Sequence, residues 1–139
     1  MLMGTNGHTI LSEDYVSFEV AKLLKKKGVD IETNTYYYAT SEYTKSEMYK
    51  SPNNTNWNNN EYYYSAPTHQ MAMKWLREEK YVLIFIVPAK DENGNLTYCA
   101  DVWTWNDDEG IYEPIWAYAN HIYEKVVESA LKYSLENLI

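Results

Sequence analysis

The sequence predicts an α+β domain: a three-stranded antiparallel meander, with room for a fourth strand, packed with three helices in the order α-(β)-α-β-β-β-α. Apolar residues recur at helical spacing in Val16-Val20-Leu23-Leu24, in Met71-Ala72-Trp75-Leu76 and in Ile122-Val126-Ala130-Leu131-Leu135-Leu138. Between the last two lie strand-like stretches joined by turns too short for a crossover, and strands joined that way pair antiparallel.

The elements follow in order. Residues 1–14 are polar and read as a loose arm. Ser17 is placed to cap the first helix, its hydroxyl accepting from an orphan backbone N–H, and Gly28 to end it in the left-handed conformation. Ile31 to Ala39, rich in Thr and Tyr, suits a pleated surface and is the candidate fourth strand. Residues 40–64 read as a long Tyr/Asn-rich loop, because Pro52 and six asparagines within 53–60 break regular structure; Trp57 is its natural anchor. Ser65-Ala66-Pro67-Thr68 offers cap candidates and a first-turn proline for the second helix. The meander runs Tyr81 to Val87, Leu96 to Trp105 and Ile111 to Trp116. Asn93-Gly94 supplies the positive φ of the first turn, and Pro114 sends the third strand to a sheet edge. The last helix is expected over Asn120 to Leu138.

The alternation in the meander carries a further expectation. Tyr81, Leu83, Phe85 and Val87 share one face of the first strand, and Val82, Ile84 and Ile86 the other, so both faces are apolar. An antiparallel strand with one wet face would alternate apolar and polar residues, so both faces call for a cover. In the second strand Leu96, Tyr98, Ala100 and Val102 share one face; Thr97, Cys99, Asp101, Trp103 and Trp105 share the other. The aromatic loop, a helix or a second subunit are the three possible covers of that second face.

Composition narrows the function classes. One domain spanning 1–139 is expected from a length of 139 residues. A net charge of −8 repels phosphate backbones, so nucleic-acid binding is disfavoured. The one dense basic run, Lys25-Lys26-Lys27, ends a helix, where cations suit the dipole. The single cysteine, Cys99, allows no internal disulfide, which points to a reducing, cytoplasmic setting. No apolar run is long enough to span a bilayer, so no membrane partner is expected.

No catalytic pattern stands out. His8, His69 and His121 lack metal-site spacing, and no Cys-x-x-Cys occurs, so neither metal nor cofactor is expected. Cys99 reads as a packing residue, and Asp107-Asp108-Glu109-Gly110 as a solvated turn without the ligand spacing of a calcium loop. The candidate binding residues are therefore Trp57, Tyr62, Tyr63 and Tyr64 in the loop, His69 and Gln70 directly after it, and Trp103 and Trp105 on the second strand. Tyr and Trp give rigid contact area at low entropy cost, and Asn gives adaptable hydrogen bonds. The same mixture can stack a base or a sugar ring.

Three segments, YVSFEVAKLLKKKG at 15–28, SAPTHQMAMKWLRE at 65–78 and ESALKYSLENLI at 128–139, resemble a family of short proteins from Bacteroidales gut bacteria and their phages. The resemblance implies a phage, prophage or mobile-element setting and brings no catalytic residues. The order helix, three strands, helix also resembles a double-stranded-RNA-binding domain. The basic patch such domains carry at the start of the last helix is replaced here by Asn120-His-Ile-Tyr-Glu-Lys125. The expectation is a non-enzymatic protein-interaction module, contacting a host or phage protein or a second copy of itself. The alternative is a small-ligand binder, for a nucleotide signal or a sugar, built on the Tyr/Asn/Trp-rich loop.

Overall fold

The computed structural model describes residues 14–41, 43 and 45–139. Helix α1 spans Phe18–Lys26, with Ser17 Oγ accepting from Val20 N at 3.1 Å and Gly28 following at φ 74°. Strands β1 (Thr33–Tyr38), β2 (Met48–Thr55) and β3 (Tyr63–Ser65) form one antiparallel sheet in the order β2-β1-β3. Helix α2 (His69–Lys80) is capped by Thr68, whose hydroxyl accepts from Met71 N. Strands β4 (Val82–Lys90), β5 (Leu96–Asn106) and β6 (Ile111–Asn120) form a second antiparallel sheet in that order, and α3 (Tyr123–Asn137) closes the chain. The α+β class and the helix-flanked meander stand; a second complete sheet is added to them.

The addition corrects the reading of residues 40–64. The stretch expected as a loop carries β2, a 3-10 turn at Trp57–Asn59 and β3. Asparagine and proline argue against a central strand, but β2 is an edge strand, where Pro52 need not donate to a ladder and polar side chains meet water. The 3-10 turn has its own cap: Asn56 Oδ1 accepts from Asn58 N at 3.1 Å. The expected arm at 1–14 lies outside the described residues except for Asp14, whose carbonyl accepts from His69 N at 2.9 Å.

The core sits around α3. Its buried stripe, Val126, Val127, Ala130, Leu131, Ser134 and Leu135, packs on Val82, Ala100 and Val102 of the second sheet and on Val20, Ala21 and Leu24 of α1. Two helix registers differ from expectation. Met71, expected inside, is exposed, while Met73 and His69 join Ala72 and Leu76 in the buried stripe of α2. Ile122 is the exposed N-cap of α3 rather than part of its buried face. β6 runs four residues further than expected, so Asn120 ends a strand instead of starting the helix.

One carboxylate joins all three helices. Glu128 on α3 accepts from His69 Nε2 at the start of α2, at 2.8 Å, and from Ser17 N at the start of α1, at 3.3 Å on each oxygen. Helix N-termini carry partial positive charge and unpaired N–H groups, so a carboxylate between two of them is well placed.

Candidate functional site

The sequence-predicted site residues fall into three separate places. The first is an aromatic cluster on the first sheet. Along β1 the side chains alternate, with Thr33, Thr35 and Tyr37 buried inward and Tyr36 and Tyr38 on the opposite face. Trp57 stacks on Tyr36 at 4.3 Å between ring centroids and lies 5.6 Å from Tyr63, while Tyr38 meets Tyr63 and Tyr62. Trp57 Nε1 donates to Thr33 O at 2.8 Å, so its one polar atom is used inside the chain. Tyr64 points the other way and packs edge-on against Phe18 at 5.2 Å.

Lys25 fastens this segment to α1. Its Nζ donates to the carbonyls of Asn60, Glu61 and Tyr63 and lies 4.5 Å from the Tyr64 ring centroid. Burial pulls the ammonium below the ordinary lysine range, and Glu61 acts in the opposite direction. The asparagines do similar structural work: Asn58 donates to Val29 O at 3.0 Å and accepts from Ser65 N at 2.8 Å. The aromatic and asparagine-rich segment is thus held by its own ring contacts and by hydrogen bonds to Lys25, Val29 and Thr33.

The second place is the core. His69 is only 4% exposed, with its Nε2 on Glu128 and its Nδ1 without a partner among the described residues. Its neighbour Gln70 is exposed. The imidazole is tied to α3 and does not join the tyrosines in a common cavity. Nearby, Tyr37 donates its hydroxyl to Val16 O at 2.7 Å; burial first, and the Glu128 charge second, raise that phenol above its ordinary range.

The third place is the open face of the second sheet. Register settles the two faces: Ile84 pairs with Val102 and Ile86 with Ala100 on the side that α3 covers, whereas Phe85 pairs with Asp101 and Leu83 with Trp103 on the other. β6 adds Tyr112 opposite Trp105, and Ala117 and Ala119 opposite Asp101 and Cys99. Among the described residues nothing covers this face. Phe85 is 47% exposed, Val87 50% and Trp105 44%. One of the three possible covers, the aromatic segment, belongs to the other sheet and packs there. Trp103 is half-buried, edge-on to Phe85 at 6.2 Å, and its Nε1 is buried without a partner among the described residues.

The face carries one charge. Asp101 lies at the middle of β5, the central strand, with its Oδ1 3.9 Å from Cys99 Sγ. Burial, followed by that carboxylate, pushes the Cys99 thiol above its ordinary range, so the residue is a poor nucleophile at neutral pH. Phe85 and Val87 were not singled out as site residues from sequence. Their signal was present in the doubly apolar pattern of β4, which shows that two faces are apolar but not which one is left bare.

Among the described residues no group of three or more His, Cys, Asp and Glu side chains could hold a metal ion, and no helix is long and apolar enough to cross a membrane. Compared with protein-family models, curated proteins and solved structures, the chain matches none.

Proposed function

We propose that the chain is a non-enzymatic protein-interaction module that docks a partner protein on the open face of the β4-β5-β6 sheet. The observation that carries this is the exposure of Phe85, Val87 and Trp105 on one face of a sheet whose other face packs its central residues, Val82, Ala100 and Val102, into the core with α3. Three strands about 4.8 Å apart, rising about 3.4 Å per residue, give a face on the order of 450 Å2 in plan. That is the size of the largest apolar patches on monomers, which are often functional. Phe85, Trp103 and Trp105 are the aromatic anchors that binding energy concentrates on.

Asp101 bears on the kind of partner. A two-fold axis through the middle of the face would set Asp101 against its own copy, and two carboxylates excluded from water repel. A foreign protein with an apolar surface and a basic residue near its centre is the better complement. The setting we propose, on the resemblance of segments 15–28, 65–78 and 128–139, is a phage or mobile element, with a host or phage protein as the partner.

The test is affinity capture with paired variants. Phe85→Asp places a charge on the open face, and Tyr62→Ser alters the aromatic cluster of the other sheet. A protein captured by the wild type and by Tyr62→Ser, but lost with Phe85→Asp, supports the reading. Capture that survives Phe85→Asp, or that fails with Tyr62→Ser instead, moves the site elsewhere.

A further inference from the structure

We infer that an open cavity at the end of the second sheet binds a guanidinium group, the head of an arginine side chain. The cavity has a volume of about 650 Å3 and lies where β4 begins and β5 ends. Tyr81, Trp105 and Tyr112 supply aromatic walls, with Asp107, Lys80 and Leu138 also in the lining. Trp105 and Tyr112 meet edge-on at 5.1 Å, and Trp105 as a whole residue is 44% exposed.

The electrostatics of the place favour a cation on several independent counts. The negative face of an aromatic ring attracts positive charge, and indole does so best. Two helices end here: Lys80 is the last residue of α2, and Leu138 caps α3. Helix C-termini carry the negative end of the dipole. The turn that supplies Asp107 continues into Asp108 and Glu109. The one cation in the lining, Lys80, has its Nζ 5.7 Å from the Trp75 ring centroid, drawn back along α2. Lys27 answers the carbonyl of Ile139 at 2.8 Å and is outside the lining.

A guanidinium suits the lining better than a metal ion or a quaternary ammonium. A single lining carboxylate is too few for a hard metal ion, which takes six or more oxygen ligands. A guanidinium lies flat on an indole while its N–H groups reach acceptors, and Asp107 and the tyrosine hydroxyls are acceptors; a quaternary ammonium has no N–H to offer them. Tyr81 adds a backbone argument. It caps α2 at φ 56° and ψ 34°, a left-handed conformation that a glycine would adopt without cost. A bulky residue held there is a mark of side-chain use, and Tyr81 is one of the residues lining the cavity.

The inference rests on the docking reading for the source of the arginine, since Trp105 and Tyr112 belong to the face proposed to meet the partner. It can be tested without any partner. In 15N-labelled protein, N-acetyl-arginine amide is expected to shift the Trp105 indole N–H saturably and to leave that of Trp57 in place. N-acetyl-citrulline amide, of the same shape without the charge, should bind at least about fivefold more weakly. Asp107→Asn and added salt should each weaken the arginine probe. Trp105→Leu should abolish its effect on the backbone amides of Tyr81 and Tyr112, and Trp105→Phe, which keeps an aromatic face, should retain part of it.

No shift at millimolar probe overturns the assignment, as does equal binding of the citrulline analogue or binding of choline in preference to arginine. Phe85 is not in the lining, so Phe85→Asp leaves this titration unchanged. Probe binding lost while partner capture persists sinks the cavity assignment alone; the reverse sinks the docking reading alone.

Discussion

Replacing Glu128 with alanine tests whether one carboxylate holds three helices together. The substitution removes the acceptor for His69 Nε2 at 2.8 Å and for Ser17 N at 3.3 Å. His69 is 4% exposed and its Nδ1 already lacks a partner among the described residues, so the variant leaves the whole imidazole unbonded in the core. A hydrogen bond to a charged group contributes about 1.5–3 kcal/mol, and an orphaned buried donor costs about 1–3 kcal/mol. The Glu128 side chain is 24% exposed, so water can replace part of what is lost. A loss of about 3 kcal/mol is expected. With an unfolding entropy of about 2.1 cal/mol/K per residue over the chain, that lowers Tm by about 10 °C. Glu128→Gln keeps one acceptor oxygen and should cost about half as much. Glu19→Gln breaks the exposed Lys132–Glu19 pair at 2.7 Å and should cost less than about 1 kcal/mol. Calorimetry on the three variants decides it: Glu128→Ala melting no lower than Glu19→Gln would refute the argument.

Two further variants probe the open face and the aromatic segment. Asp101→Asn removes the one charge from the face and should increase self-association, read by sedimentation velocity at neutral pH; a wild type that dimerises more strongly than this variant contradicts the partner argument. The same change takes away one of the influences raising the Cys99 thiol. A raised pKa means less thiolate at a given pH, so the Asn variant should be alkylated faster by iodoacetamide at mildly alkaline pH, the difference vanishing once both thiols are ionised. Lys25→Met keeps the aliphatic stem but deletes the bonds to the carbonyls of Asn60, Glu61 and Tyr63. Amide exchange across residues 60–64 should accelerate about tenfold, equivalent to about 1.4 kcal/mol of local opening, and unchanged exchange would show that the aromatic cluster alone holds the segment.

The three helices, the N-caps of α1 and α2 and the meander were legible in the sequence, because those signals are local; the start of α3, capped by Ile122 without a side-chain hydrogen bond, was not. Ser17, Thr68, Gly28 and Gly94 act within a few residues of where they stand, and the apolar stripes of α1 and α3 repeat at the period of the element they build. The sequence by itself also determined that both faces of β4 are apolar, since alternation is a property of the strand alone. Whether Pro52 and the asparagines make a loop or an edge strand was not local: β2 depends on β1 being there to pair with it. His69 became a core residue only because Glu128, 59 positions away, reaches it. The aromatic segment could have covered Trp103 and Trp105 as far as composition goes. Tertiary structure decided otherwise, because Lys25, Asn58 and Trp57 satisfy their hydrogen bonds on the first sheet and hold the tyrosines there. Of the two faces that the pattern of β4 marked as needing a cover, the folded chain covers one with α3 and leaves the other open.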